Sequence, residues 1–192
     1  MKKKISLLVL VLAFALVLGG AYTLYDDLSG EVGTSSMAVR EDTETGETAQ
    51  NAQPAPDFTV KDMDGNEISL SDMVGKPVVV NFWASWCGPC KSEMPDFEEK
   101  FGEYGDEIVF MMVNMTNGQE TVKTAKAFVE EAGYTFPVYF DTRQSAAIAY
   151  GVNSIPATYF IDEEGQLIAY GLGALSGDII QRGIDMLLGT TD

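Results

Sequence analysis

The sequence predicts an α/β domain with a β-hairpin placed ahead of its main sheet. Short apolar runs typical of buried strands alternate with stretches of helical spacing. The runs with strand character are 78–83, 108–115, 138–140, 157–161 and 167–171. The hairpin is predicted within 58–73, because Asp64 and Gly65 form a turn signal between FTVKDM and NEISL.

Caps and apolar spacing predict the helices. One begins at the cysteine pair described below. In the next, Asn117 is the expected N-cap, with Glu120 at the third helical position and Gly133 as the stop. A short helix is predicted at 144–150, and a last amphipathic helix at 176–189. The apolar stripes of these helices are expected to face the core.

The N-terminal segment predicts export. Three lysines at 2–4 precede an apolar run at 7–18, and small residues follow at 19–21. An uncleaved anchor is favoured over a cleaved signal, because the 20 residues of 5–24 can span a bilayer at about 1.5 Å per residue. The lysines are then cytoplasmic and the rest extracytoplasmic, or secreted if the segment is cleaved. The predicted domains are a signal or anchor at 1–28, a flexible polar linker at 29–53 and a folded domain at 54–192.

Charge and composition exclude several classes of function. The formal net charge is −17, and so acidic a surface repels nucleic acid. The chain has no histidine and two cysteines, which excludes Ser-His-Asp and Cys-His catalysis and leaves zinc without its usual ligands. We therefore expect no metal and no cofactor. The folded domain is long enough to bury a core, so the cysteines are not needed to hold it together.

Both cysteines lie in the stretch FWASWCGPCKSEMP. The apolar strand before them and the helical spacing after them place Cys87 at a helix N-terminus, where free N–H groups and the helix dipole lower the pKa of its thiol. Cys90 continues the apolar stripe and is expected to be less exposed. Cys87 can attack a substrate disulfide, and Cys90 can resolve the mixed disulfide. Gly88 and Pro89 between them remove bulk and fix one backbone dihedral.

Three other roles for the pair fit less well. A zinc knuckle needs two further ligands that the chain lacks. A structural disulfide across so short a loop stabilises little. A thiol peroxidase would carry threonine three residues before a lone cysteine, where this chain has Ala84. A redox-active pair is therefore the preferred interpretation.

The stretch FWASWCGPC after VVVN, followed far along the chain by SIPATYFIDEEG, resembles the thioredoxin superfamily. It is most similar to the TlpA/ResA-like branch of extracytoplasmic, membrane-associated thiol-disulfide oxidoreductases. The resemblance covers 55–188 and implies the thioredoxin fold, with a central mixed sheet flanked by helices. The opening segment is similar in style to peroxiredoxins, but WCGPC separates the two families.

The resemblance implies individual roles. Cys87 would be the nucleophile and Cys90 the resolving thiol. Pro156 matches the cis-proline that faces the active-site disulfide, and Ile155 would offer its backbone to a bound substrate strand. Of the two tryptophans that flank the motif, the one at 83 is expected to pack, while Trp86 is expected to shield the thiolate and contact substrate. The expected substrate contacts are Trp86, Gly88, Pro89, Ile155 and Pro156.

The sequence departs from cytosolic thioredoxins at the residue that assists proton transfer at the resolving cysteine. Cytosolic thioredoxins carry a buried aspartate in the strand before the motif, and this chain has Asn81 there. ResA-like proteins carry a glutamate three residues beyond the second cysteine, which resembles Glu93. Because residues three apart are neighbours on a helix, Glu93 is the predicted acceptor of the Cys90 proton. The alternative is a solvated glutamate in the first helical turns.

The predicted function is an exported thiol-disulfide oxidoreductase, most consistent with reduction of exported protein disulfides and with electrons from a membrane partner protein. The Gly-Pro pair between the cysteines matches reducing thioredoxins and favours this direction. A disulfide-forming oxidase has the same fold and cysteines, so it stays an alternative. A further alternative is a non-catalytic, membrane-anchored binding domain with an incidental redox pair.

Overall fold

The computed structural model describes residues 37–39, for which only the backbone is considered, and 53–190. The predicted anchor at 1–28 and most of the predicted linker at 29–53 lie outside the described residues. The strands are β1 Met37–Val39, β2 Thr59–Lys61, β3 Glu67–Ser69, β4 Val78–Trp83, β5 Val109–Asn114, β6 Val138–Phe140, β7 Ala157–Ile161 and β8 Leu167–Leu172. The helices are α1 Gly88–Tyr104, α2 Val122–Ala132, α3 Ser145–Ala149 and α4 Gly177–Leu188, with a 3₁₀ turn at Leu70–Met73. Within the part described, no helix has the length and apolar character needed to cross a bilayer.

The strands form one mixed sheet in the order β1-β8-β7-β4-β5-β6-β2-β3. β4, β5 and β6 are parallel, whereas β7 is antiparallel to both β4 and β8. All six residues of the central strand β4 are buried, as expected for a strand covered on both faces. This architecture confirms the predicted thioredoxin fold.

Alternation along β4 assigns its side chains to two cores. Val79 and Trp83 pack in one core with Met94 of α1, together with residues of α2 and α4. Val80 and its same-face neighbours on β4 pack in the other core with α3 and the hairpin. Because side chains of a strand alternate between faces, Asn81 points toward the α1 side of the sheet.

The predicted hairpin at 58–73 forms as β2 and β3, joined by a turn in which Gly65 has a φ of 90°. β2 also pairs with β6 at Lys61 and Phe140, so the hairpin extends one edge of the main sheet. At the other edge β1 pairs antiparallel with β8. β1 falls inside the range 29–53 that the sequence predicts as linker.

The start of α2 corrects one prediction. Thr121, not Asn117, is the N-cap, and its side chain accepts a hydrogen bond from the backbone N–H of Thr124. The two threonines form a reciprocal capping box, and Glu120 lies just before the helix. The predicted end at Gly133 is confirmed, because this residue adopts the left-handed conformation that terminates helices. The predicted positions of α3 and α4 are confirmed as well.

Close packing of α4 on the sheet depends on Gly183. A Cβ at this position would overlap the ring of Phe160 on β7. We expect Gly183→Ala to lower the free energy of unfolding of the oxidised protein by about 1–3 kcal/mol, the usual cost of overpacking a core. Denaturant unfolding measures this. Gly102→Ala on the exposed side of α1 is the control, because its Cβ would meet open space. Equal stability of the Gly183→Ala variant and the wild type would contradict the prediction.

Candidate active site

The cysteine pair lies at the junction of β4 and α1. Cys87 is the N-cap of α1, and Pro89 occupies the first turn. Cys87 and Cys90 form a disulfide bond, and the backbone N–H of Cys90 lies 3.2 Å from Cys87 Sγ. Cys87 is 4% exposed and Cys90 0%, so both are buried, Cys90 the more completely. A thiolate at Cys87 would therefore accept from a helix N-terminus, an arrangement that lowers a thiol pKa.

The loop that contains Ile155 and Pro156, called the proline loop, lies beside the end of β4 and faces Cys87. β7 runs antiparallel to β4 with Phe82 opposite Ala157, so the start of β7 lies beside the end of β4. The peptide bond between Ile155 and Pro156, just before β7, is cis, in agreement with the resemblance. The carbonyl oxygen of Ile155 lies 3.8 Å from Cys87 Sγ. The structure thus brings together the sequence-predicted residues at 87 and 155–156.

Three predicted contact residues surround the nucleophile on the surface. Trp86 is 59% exposed, and Gly88 and Pro89 are also exposed. Trp83, by contrast, is fully buried and packs against the ring of Phe128 on α2. The two tryptophans of the motif therefore have different surroundings, one in the core and one at the mouth of the site.

Glu93 is a buried carboxyl group on α1, about one helical turn after Cys90. It is 1% exposed, so the alternative of a solvated glutamate is wrong. Its Oε1 accepts from Asn81 Nδ2 at 2.8 Å and its Oε2 from the backbone N–H of Leu175 at 2.8 Å. Burial raises the pKa of Glu93 to about 7, with a smaller contribution from nearby Asp96, while these two hydrogen bonds oppose the shift.

Asn81 holds Glu93 in place from the central strand. Its Nδ2 donates to Thr158 Oγ1 on β7 at 3.0 Å as well as to Glu93. Its buried Oδ1 has no hydrogen-bond partner among the described residues. An amide cannot titrate, so within this trio the carboxyl of Glu93 is the group that can exchange a proton near neutral pH.

Sequence reasoning missed a buried acidic side chain that contacts the loop before Cys87. Glu120, which is 3% exposed, accepts from the backbone N–H of Ser85 at 2.6 Å and also from its hydroxyl. Ser85 lies two residues before Cys87. The contact between Glu120 and Ser85 could have been anticipated, because β4 and β5 are parallel and the segments that follow their carboxyl ends meet at one edge of the sheet. The capping pattern that begins at Asn117 assigned Glu120 to the first turn of the helix instead.

No group of three or more His, Cys, Asp or Glu side chains suited to a metal occurs in the described part of the chain. The arrangement instead provides a reducible disulfide at a helix N-terminus, a facing backbone carbonyl and a buried carboxyl that titrates near neutral pH. These are the parts needed for thiol-disulfide exchange with internal proton transfer.

Comparisons with known proteins agree with this chemistry. The AhpC/TSA family model matches residues 52–170. The thioredoxin-like protein YneN of Bacillus subtilis is 37% identical over 137 residues, covering 71% of this chain and 80% of YneN. The thiol-disulfide oxidoreductase ResA of Geobacillus kaustophilus is 34% identical over 187 residues, covering 96% and 98% of the two chains. A solved structure, the exposed lipoprotein thioredoxin Etrx1 of Streptococcus pneumoniae, is 34% identical with a TM-score of 0.59, covering 67% of this chain and 98% of that one.

Proposed function

We propose that this chain, which belongs to the AhpC/TSA family and is a thiol-disulfide oxidoreductase, reduces disulfides of exported proteins outside the cytoplasmic membrane. The observation that carries the proposal is the cysteine pair at the N-terminus of α1 with the buried carboxyl of Glu93 about one helical turn after Cys90. A carboxyl group with a pKa near 7 can take up the proton of a resolving thiol at neutral pH.

The proposed cycle conserves electrons and protons. In the dithiol form, the Cys87 thiolate attacks one sulfur of the client disulfide, forming a mixed disulfide and releasing one client thiolate. Glu93 accepts the proton of Cys90, whose sulfur then attacks Cys87. This step releases the second client thiolate and forms the Cys87–Cys90 disulfide, so two electrons pass to the client. A dithiol protein of the membrane is the proposed electron donor that restores the reduced pair.

The proposed binding position of the client lies between the proline loop and the exposed N-terminal end of α1. A client strand would pair with the backbone of Ile155 while Trp86 and the exposed Gly88 and Pro89 contact its flanks. A groove of about 340 Å³ adjoins the loop and would accept an apolar client side chain. Residues that line this groove include Tyr150, Val152, Ser154, Tyr159, Tyr170 and Leu172.

The proposed location follows from the N-terminal sequence. The basic and apolar segment within 1–28 would anchor the chain in the membrane, with 29–53 as a linker and 54–192 as the catalytic domain. The alignment with ResA supports a shared organisation, because it extends over 96% of this chain. Etrx1, which is named an exposed lipoprotein, supports an extracytoplasmic site of action.

The reduction potential of the Cys87–Cys90 couple tests the proposed direction. We expect a value nearer to that of thioredoxin, about −270 mV, than to that of the oxidase DsbA, about −120 mV. Equilibration of the full chain with glutathione or dithiothreitol buffers gives the potential, and reduction of insulin disulfides gives the activity. A potential near the DsbA value would overturn reduction in favour of the oxidase.

A further inference from the structure

Glu120 links two segments at the active-site edge of the sheet. Its carboxylate binds the N–H and the hydroxyl of Ser85, in the loop that carries Trp86 and Cys87. The same carboxylate accepts from Thr124 Oγ1 at 2.6 Å, in the first turn of α2. The loop before the nucleophile is therefore tied through one side chain to the start of a helix that follows the neighbouring strand.

No ion pair neutralises the Glu120 carboxylate among the residues that the structure describes. The hydrogen bonds of Glu120 with Ser85 and Thr124 all come from neutral donors, and the carboxylate oxygens act only as acceptors in them. In the part of the chain that the structure describes, the side-chain ion pairs involve Lys100 and Arg143, not Glu120. A buried negative charge without a countercharge acts over a longer distance than an exposed one, because little solvent screens it.

We infer that Glu120 is a positioning residue that orients the loop carrying Trp86 and Cys87 and whose buried negative charge makes the Cys87–Cys90 pair more reducing. The inference rests on the proposed reductase function and supplies a structural reason for its direction. Two other charged side chains belong to the first turns of α1. Lys91 is exposed, with Nζ 6.0 Å from the centre of the Phe128 ring, and Glu93 is buried. Ile155 and Pro156, which face Cys87, carry no charge.

The sign of the effect follows from which redox form is charged. The disulfide is neutral, whereas the dithiol form carries a thiolate at Cys87. A negative charge near Cys87 disfavours that thiolate, which raises the free energy of the reduced form and makes the pair a stronger reductant. Removal of the charge should stabilise the thiolate, favour the dithiol form and make the reduction potential more positive. A unit charge about 10 Å away, at an effective dielectric constant of about 20, changes such an equilibrium by about tenfold.

Glu120→Gln tests the charge with little change of shape. The glutamine carbonyl can still accept from the Ser85 N–H, and its amide can donate to the hydroxyl of Thr124. We expect the equilibrium constant of the couple against glutathione at pH 9, above the ordinary thiol pKa of about 8.5, to shift about tenfold toward the dithiol. For two electrons this corresponds to about +30 mV. The absorbance of the Cys87 thiolate should likewise appear at about tenfold lower hydroxide concentration.

Glu98→Gln is the matched control. Glu98 of α1 accepts from the backbone N–H and hydroxyl of Thr135, the same kind of link as that between Glu120 and Ser85. It lies two helical turns beyond Cys90 and should change stability without changing the potential. A potential and a thiolate titration equal to wild type in a folded Glu120→Gln protein would overturn the inference, as would equal shifts in both variants. An oxidising potential of the wild type would instead overturn the proposed function, so the two failures are distinguishable.

Should Glu120→Gln fail to fold, Glu120→Asp keeps the charge but shortens the link. A folded Glu120→Asp protein with an unchanged potential and altered client turnover would support separate roles for charge and position. An equilibrium constant shifted about tenfold or more toward the dithiol in this variant, despite the retained carboxylate, would show that the charge does not set the potential and would overturn the inference.

Discussion

Replacement of Cys87 by serine is expected to reduce the rate of insulin disulfide reduction to the rate without protein. A serine hydroxyl is not ionised at neutral pH and cannot attack a disulfide sulfur, so no mixed disulfide forms. Cys87 also lies at the helix N-terminus with Ile155 facing it, and the chain's other cysteine, Cys90, is fully buried and cannot take its place. The turbidity of reduced insulin with dithiothreitol as electron source measures the loss.

Replacement of Cys90 by serine should give the complementary result. The Cys87 thiolate still attacks, but no second thiol resolves the product, so a client remains attached through a mixed disulfide. A non-reducing gel detects this adduct, and the double variant that lacks both cysteines is the control for unspecific capture. Wild-type turnover in a folded Cys87→Ser protein would contradict the assignment of the nucleophile, and adducts in the double variant would contradict the assignment of the attachment site.

The second large effect concerns Glu93 and the pH dependence of stability. Burial raises the pKa of this carboxyl from 4.5 to about 7 in the folded chain, so between these values the folded state binds more protons than the unfolded state. The contribution of this carboxyl to stability is therefore greatest below pH 4.5, is lost as the pH rises from 4.5 through 7 and is level above that. The contribution amounts to about 3 kcal/mol. Denaturant unfolding of the disulfide form between pH 4 and pH 9 measures it without interference from free thiols.

In Glu93→Gln this dependence should be absent. The difference in unfolding free energy between the wild type and the variant should change by about 3 kcal/mol across the interval, in favour of the variant at high pH. Wild-type turnover should also change with pH near 7, where Glu93 titrates. This change should be absent from the variant, because its side chain cannot accept the Cys90 proton. Glu98→Gln serves as control. If unfolding free energy and turnover depended on pH in the same way in the wild type and in Glu93→Gln, Glu93 would have neither the stability role nor the proton-accepting role.

Much of the fold was predictable because its strands are short, continuous apolar runs. β4, β6 and β7 occupy the predicted residues, since strands buried on both faces leave an unbroken hydrophobic signal. The start of α2 was not predictable to the residue. Asn117 and Thr121 both fit the rules for an N-cap, and only the tertiary position of Glu120, turned toward Ser85, decides between them.

The chemistry of the site was predictable in part. The helix-terminal position of Cys87 followed from local spacing, and the role proposed for Glu93 came from a resemblance. The burial of Glu93 could not be derived from its sequence neighbours, because it depends on Asn81 and on the backbone of Leu175, which is 82 residues away along the chain. Long-range hydrogen bonds of this kind leave no periodic signal in a sequence.

The segments that meet around Cys87 and Glu93 are far apart in the chain, with separations of 68, 77 and 82 residues at Ile155, Thr158 and Leu175. A chain whose last two strands and last helix have detached would keep its CGPC motif yet lose the facing carbonyl and both long-range ligands of the asparagine–glutamate pair. Its cysteines would then behave as an ordinary solvent-accessible dithiol. Thiol reactivity therefore reports complete folding, because the protein becomes a specific redox reagent only once its last two strands and last helix have docked.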